Sequence, residues 1–218
     1  MREVMNSNQK VYSFDVFDTC ISRTYEKPSD LFYHLGLMIA PENTSTEKAH
    51  IFANSFLITR IDAEIKANRM HGKKRSCHIH EIYSLLTLHP QCTHSKFEIM
   101  RLELKLEEQS LYAIQSTREI IDKLRASNKR IIFISDMYLD ASFVKRQLIK
   151  HGFYEDGDGL YVSSESTLIK RTGMLFKLVL QNENIHAQEL FHIGDNLACD
   201  IRPANRLGIQ TAHIQNTH

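Results

Sequence analysis

Residues 129–135 read KRIIFIS, and this run decides the fold. Ile131, Ile132, Phe133 and Ile134 leave no polar alternation. That is the signature of a strand covered on both faces, as in a parallel sheet. Working outward, the spacing predicts a helix over Thr117 to Ser127, with Ile120, Ile121 and Leu124 inward. Phe143 to Lys150 reads as a helix ending before Gly152, Leu160 to Val162 as a short strand, and Met174 to Leu180 as a helix. Glu189 to Ile193 follows as a strand, Cys199 to Leu207 as a helix stopped by Gly208, and Ile209 to Ile214 as a last strand. Far upstream, residues 10–16 (KVYSFDV) carry the β-branched and aromatic residues of a first strand. Strands alternating with helices predict an α/β fold, a doubly wound and mainly parallel Rossmann-like sheet.

The alternation is interrupted. Between Pro28 and Leu111 the apolar residues follow helical spacing. Leu31, Leu35, Met38 and Ile39 fit one face. Ile51, Phe52, Ser55, Phe56, Ile58 and Ile61 fit a longer helix running toward Asn68. Ile79, Ile82, Leu85 and Leu86 fit a third, and Phe97, Met100, Leu102, Leu104, Leu106 and Leu111 a fourth. The expected layout is an α/β core of residues 1–21 and 117–218 with an all-helical insertion over residues 22–116. An insertion after the first strand leaves from the carboxyl end of the sheet, where open α/β sheets bind ligands.

Composition narrows the function. The 218 residues are 42% hydrophobic and 24% charged, which is globular rather than disordered. Lys and Arg number 27 against 26 Asp and Glu, a balance that gives no support to nucleic-acid or polybasic membrane binding. No apolar run approaches the ~20 residues of a spanning helix, and the opening MREVMNSNQK has no signal-peptide stretch. Four cysteines are too few for a disulfide scaffold, so a cytoplasmic protein with reduced thiols is expected.

The candidate chemistry sits where strands end. Asp15 closes the first strand in FDVFDT (14–19), Ser135 and Asp136 close KRIIFIS, and Asp195 and Asp200 follow a strand in HIGDNLACD. Three carboxylates at one sheet edge repel unless a cation neutralises them, and hard oxygen ligands with room for water and phosphate suit Mg²⁺. A carboxylate beside such a metal can attack phosphorus. Ser135 and Lys170 can hold the remaining phosphoryl oxygens through a hydroxyl and an ammonium.

With these residues in place, the sequence resembles the haloacid dehalogenase-like (HAD) hydrolases. Four motifs stand in the family's order: FDVFDT, IIFIS, IKRTGMLF and IGDNLACDI. The resemblance implies Asp15 as nucleophile, Ser135 as phosphate-contacting hydroxyl, Lys170 as the motif III cation, and Asp195 with Asp200 as the acidic pair at Mg²⁺. It adds the backbone carbonyl of Phe17 as a metal ligand. Thr19, Asp136 and Asn196 join the candidates for holding substrate or phosphate. The insertion resembles a C1-type cap, which in this family closes over the substrate. FDVFDTCISR, SDMYLD and the segment with Arg60, Glu64 and Arg69 resemble a bacterial branch encoded with, or fused to, surface-polysaccharide glycosyltransferases. That implies a sugar-phosphate substrate and a glycosyltransferase partner.

Two features depart from the pattern. The prolines common in motif III are missing. The acid/base Asp usual two residues after the nucleophile is Phe17, which cannot transfer a proton. Asp18 is the candidate substitute. The alternatives are turnover restricted to good leaving groups, a catalytically weak binding or assembly module, or a 2-haloacid dehalogenase. Asp195 and Asp200 weigh against the last, because dehalogenases of this family need no metal. Two clusters lie in the insertion. Cys77, His80, Cys92 and His94 carry the ligand types of a tetrahedral zinc site, but their spacing fits no common zinc module, and scattered surface His with buried Cys is the preferred account. The basic run Lys73, Lys74, Arg75 reads as a solvated turn.

Overall fold

The computed structural model describes residue 4 and residues 7–72 and 76–214. The run Lys73, Lys74, Arg75 lies outside the described residues. The chain divides into two compact units. One holds residues 7–22, Ser76 and 112–214; the other holds residues 23–72 and 77–111.

The first unit is built on five strands: β1 (Val11–Phe14), β4 (Arg130–Ser135), β5 (Gly159–Val162), β6 (Leu190–Gly194) and β7 (Gln210–His213). Their order is β5-β4-β1-β6-β7, and every pairing is parallel. The sheet therefore has the α/β class that the apolar run in β4 predicted. Residues 131–134 are all buried because both faces are covered. Ile132 and Ile134 pack with Leu175, Phe176 and Val179 of a helix at Met174–Asn182, while Phe133 meets Phe14 and Tyr154. The register aligns Phe14 with Phe133 and Ile193. Asp15, Ser135 and Asp195 thus emerge at the same carboxyl edge.

Two three-residue strands, β2 (Ile21–Arg23) and β3 (Leu111–Ala113), pair as a ribbon where the chain leaves and re-enters the α/β unit. Sequence periodicity missed both, since three residues carry no readable period. Residues 112–116, expected in the insertion, belong to the α/β unit: they form the end of β3 and the start of α5 (Gln115–Ala126).

The second unit is helical: α1 (Asp30–Met38), α2 (Thr46–Met70), α3 (Ile79–Leu85) and α4 (Lys96–Ser110). Ser95 and Glu98 close a capping box at the start of α4. Gly36 lets α1 approach α2 closely, since a Cβ there would lie 2.7 Å from Ala53 Cα. That approach sets which face of α2 is inward: Phe52, Ala53, Phe56, Arg60, Ala63 and Ala67. Ile51 and Ile58, grouped with this helix's apolar set from sequence, are exposed instead, as are Met38 and Phe97 on α1 and α4. Charged residues take the inward positions. Arg60 is fully buried, paired with both oxygens of Glu103 at 2.8 and 2.7 Å, and stacked 4.3 Å from the Phe32 ring centroid. Tyr83 donates to the same carboxylate at 2.7 Å, and Arg23 pairs with Glu107. Glu103 and Glu107 are not singled out in the sequence, where only the apolar residues of this helix are placed. Here they are inside because each meets a guanidinium.

Candidate active site

Asp15 follows β1 and is held by its backbone N–H, which donates to Ile193 O at 2.8 Å. Its carboxylate receives Lys170 Nζ on one oxygen and Thr19 Oγ1 at 3.2 Å on the other. Thr19 Oγ1 also lies 3.4 Å from Asp195 Oδ1, so it bridges the two acids. Lys170 Nζ reaches Asp200 Oδ1 at 2.5 Å. Asp200 sits in a single π-turn (Leu197–Ile201), the kind of helical irregularity that recurs at functional sites. Gly194 is required there, because a Cβ on it would lie 2.5 Å from Asp200 Cγ. Carboxylate oxygens of Asp15, Asp195 and Asp200 all lie within 4.8 Å of one another.

Burial sets the protonation of this cluster. It pushes the Asp15 carboxyl up to about 8, against the opposing pull of Lys170 and with the help of Asp200 and Asp195. Burial alone would lower Lys170, but Asp15 and Asp200 outweigh it and hold the ammonium charged, well above its ordinary range. Asp200 is held below the usual carboxylate range: burial opposes its charge, and Lys170 and His192 overcome that. Asp195 is raised, by burial first and then by Asp200 and Asp18.

The donor set fits a hard divalent cation. It is all carboxylate oxygen, and an octahedral ion with bonds of ~2.1 Å spaces its ligand oxygens by roughly 3–4 Å. Three carboxylates against one ammonium leave two negative charges when all are ionised, which a divalent ion cancels. Among the described residues this is the sole grouping of three or more His, Cys, Asp or Glu side chains within reach of one ion. Cys77, His80, Cys92 and His94 are therefore not assembled: Cys77 is buried, and the Cys92 thiol is directed at His94 O.

The other candidates fall into two groups. Ser135 ends β4, buried at the same edge. Asp136 and Asn196, taken as substrate ligands, are turned onto the backbone. The Asp136 carboxylate accepts from the Lys170 N–H at 2.9 and 3.0 Å, so it fixes the turn that presents the lysine. Asn196 Oδ1 accepts from the N–H groups of Ala198 and Cys199 at 2.9 and 3.1 Å and caps the turn that carries Asp200. Asp18 has φ +59°, its N–H bonds Ile21 O at 2.7 Å, and its carboxylate accepts from Ser22 Oγ at 2.7 Å. It shapes the turn after Asp15 and stands outside the carboxylate triad. Phe17 is half-buried in that turn, bridged to Ile21.

His192 was missed from sequence, being read only as part of a strand. It is fully buried beneath the site, 2.8 Å from Ser13 Oγ and 3.5 Å from Asp200, and burial lowers its pKa so that it stays neutral. A histidine inside LFHIG at a strand's buried end was the available signal.

Comparison with solved structures decides the fold's identity. A HAD family enzyme from Bacteroides thetaiotaomicron, solved with magnesium and inorganic phosphate, superposes with a TM-score of 0.64 at 16% identity, covering 97% of this chain and 96% of that one. The chain has the HAD fold. A HAD phosphatase from Thermococcus onnurineus superposes at 0.63 with 14% identity over 95% of this chain and 87% of that chain. The 2-haloacid dehalogenase from Pseudomonas syringae pv. tomato gives 0.58 with 14% identity over 94% and 85%. No family model and no curated protein matches the sequence. Within the HAD fold, the carboxyl edge bearing Asp15, Asp195 and Asp200 is the place where the sequence resemblance put the chemistry. No helix among the described residues is long and apolar enough to cross a membrane.

Proposed function

We propose that this chain is a Mg²⁺-dependent phosphomonoester hydrolase working through an aspartyl-phosphate on Asp15. The observation that carries this reading is the triad Asp15, Asp195 and Asp200 with Lys170 among them. Bound there, Mg²⁺ would neutralise the carboxylates and polarise a phosphoryl oxygen.

The chain's own residues do the rest. Asp15 must be ionised to attack, and Lys170 opposes the effect of burial on it. An Asp15 oxygen forms a bond to phosphorus as the ester P–O bond breaks and the alcohol oxygen leaves with the electron pair. Lys170 and Ser135 face the charge on the phosphoryl oxygens. Water then attacks phosphorus, the acyl-phosphate bond breaks, and Asp15 and inorganic phosphate are released. Thr19, Asp136, Asn196 and His192 hold the reacting groups in place. Phe17 supplies no proton to the leaving oxygen and Asp18 is held in its turn by Ser22 and Ile21, so turnover favours leaving groups that are stable as anions.

Magnesium in the Bacteroides and Bacillus subtilis HAD structures supports the choice of ion. The sugar-linked substrate, the glycosyltransferase partner and the cytoplasmic setting rest on the resemblance of FDVFDTCISR and SDMYLD and on composition. Phe17 favours a second reading, a HAD fold retained as a binding or assembly module.

The test is phosphate release from sugar phosphates and an activated aryl phosphate, with Mg²⁺ and with chelator, for wild type and Asp15→Asn. Metal-dependent release abolished in the variant supports the hydrolase. No release from any ester supports the module. Halide release from a 2-haloacid that survives chelation supports a dehalogenase.

A further inference from the structure

The outward face of α2 is built as a palindrome. The helix has 25 residues, so it is about 37 Å long and advances about 100° per residue. Taking Ile58 as the reference, Glu47, Ile51, Asn54, Asp62, Ile65 and Arg69 all fall within about 40° of it. Every one of the seven is exposed. The buried face, centred on Phe56, Arg60 and Ala67, is diametrically opposite. Ile51 and Ile58 are 62% and 65% exposed and Ile65 43%, a ridge of isoleucine that solvent alone does not explain.

Helix geometry makes any face symmetric in position about its central residue; here the paired positions are also complementary in chemistry. Eleven residues to either side stand Glu47 and Arg69. Seven to either side stand Ile51 and Ile65. Four to either side stand Asn54 and Asp62. A second α2 laid antiparallel, with Ile58 meeting Ile58, places Glu47 against Arg69 twice and Ile51 against Ile65 twice. It also brings the Asn54 amide to the Asp62 carboxylate twice. A parallel arrangement would instead set Glu47, Asp62 and Arg69 each against its own copy. The steps along the face run 4, 3, 4, 4, 3, 4, an eleven-residue repeat close to the helix's own period, so two straight helices stay in contact along their length.

We propose that α2 is the docking surface for a second copy of this chain, antiparallel about a two-fold axis through Ile58. The interface is isologous, as closed dimers require. A contact about 37 Å long and roughly 10 Å wide covers ~400 Å² per partner. The total of ~800 Å² is below the ~1,200–2,000 Å² of stable complexes, so the dimer is weak and forms only at high protein concentration. This surface lies in the helical unit and is independent of the chemistry proposed for Asp15.

Sedimentation equilibrium of the full chain from about 5 to 500 μM reads it directly. The wild type should dimerise within that range. Glu47→Arg and Arg69→Glu singly should each weaken dimerisation at least ~10-fold, because each sets two like-charge contacts. The double variant Glu47→Arg/Arg69→Glu should recover to within ~3-fold, because the pairs are restored with reversed sense. Within one chain the two positions are about 33 Å apart, so only a partner can couple them. All substituted side chains are exposed, so the fold is retained, and circular dichroism checks that. Ile58→Cys should give a covalent dimer under mild oxidation where the wild type does not. A monomer at every concentration overturns the proposal, as does a dimer indifferent to Arg69→Glu. A double variant as weak as the singles overturns the antiparallel register.

Discussion

Asp15→Asn should make the metal-free protein more stable while removing its activity, and the gain should grow with pH. Asp15 has its carboxyl raised from an ordinary ~3.9 to about 8 by burial among Asp195 and Asp200. A folded-state pKa above the unfolded one means that stability is fully present below pH ~4 and is lost as pH rises toward 8. The loss accumulates at about 1.4 kcal/mol per pH unit, up to ~2 kcal/mol at pH 5.5 and on the order of 5 kcal/mol at pH 8. Water entry and side-chain movement reduce this, and half is a working figure. At ~2–4 °C per kcal/mol for a chain of this size, Asn should raise Tm by roughly 5–10 °C at pH 8 and by roughly 3 °C at pH 5.5. Lys170 keeps Asp200 as partner in the variant, so no new unpaired cation offsets the gain. The assay is thermal melting by circular dichroism in chelator at the two pH values. A fall in Tm at both, or a gain that does not change with pH, would refute the reasoning. Asp15 would then be an ordinary carboxylate stabilised by Lys170.

The same cluster predicts that Mg²⁺ competes with a proton. Calorimetry at pH 7 in buffers of different ionisation enthalpy should show about one proton released per ion bound, falling toward zero above pH 9. Asp136→Ala should free the turn that presents Lys170, lowering kcat ~10–100-fold with little change in stability to urea, since water replaces part of the lost bonding. In the helical unit, Glu103→Ala should cost ~3–5 kcal/mol by leaving Arg60 buried without its bidentate partner, whereas Arg60→Met/Glu103→Leu should recover most of it; urea titrations of both decide this. Phe17→Asp should raise turnover ~10²–10⁴-fold on sugar phosphates and much less on an activated aryl phosphate, measured as phosphate release.

The α/β unit was legible in sequence because its central strands β1, β4 and β6 are covered on both faces. Such strands announce themselves as apolar runs, and their ends can be located to within a residue or two: Asp15, Ser135 and Asp195 all lie at the edge expected of them. The helical unit was legible as helices but not as faces. Ile51 and Ile58 look like core on composition, yet Gly36 against Ala53 turns the small and aromatic side of α2 inward. Glu103 and Glu107 carry no sequence signal of burial, yet each is buried against an arginine that follows from no local pattern. At the site, residue type was readable and residue duty was not. Asp136 and Asn196 are polar groups in the right loops, but whether a carboxylate faces a ligand or a backbone N–H depends on turns that only the folded chain defines.

Those two residues bear on how the cluster is kept together. Asp15, Asp195 and Asp200 repel one another, and Lys170 alone does not neutralise them. The fold holds them through contacts to groups that carry no net charge: Thr19 between Asp15 and Asp195, the Asn196 N–H on Asp200 at 2.9 Å, and neutral His192 behind it. Asp136 anchors the backbone of Lys170 rather than its ammonium, which leaves the ammonium to the triad. An arrangement that retains repulsion at a cost in stability fits a cation-binding role better than a structural one, because a purely structural site would be more stable with an amide at Asp15. Phe17 then stands apart. Under the proposed hydrolase reading it removes proton transfer from a site whose charge arrangement is otherwise complete, so the chemistry it would limit is expulsion of the leaving group and not attack on phosphorus.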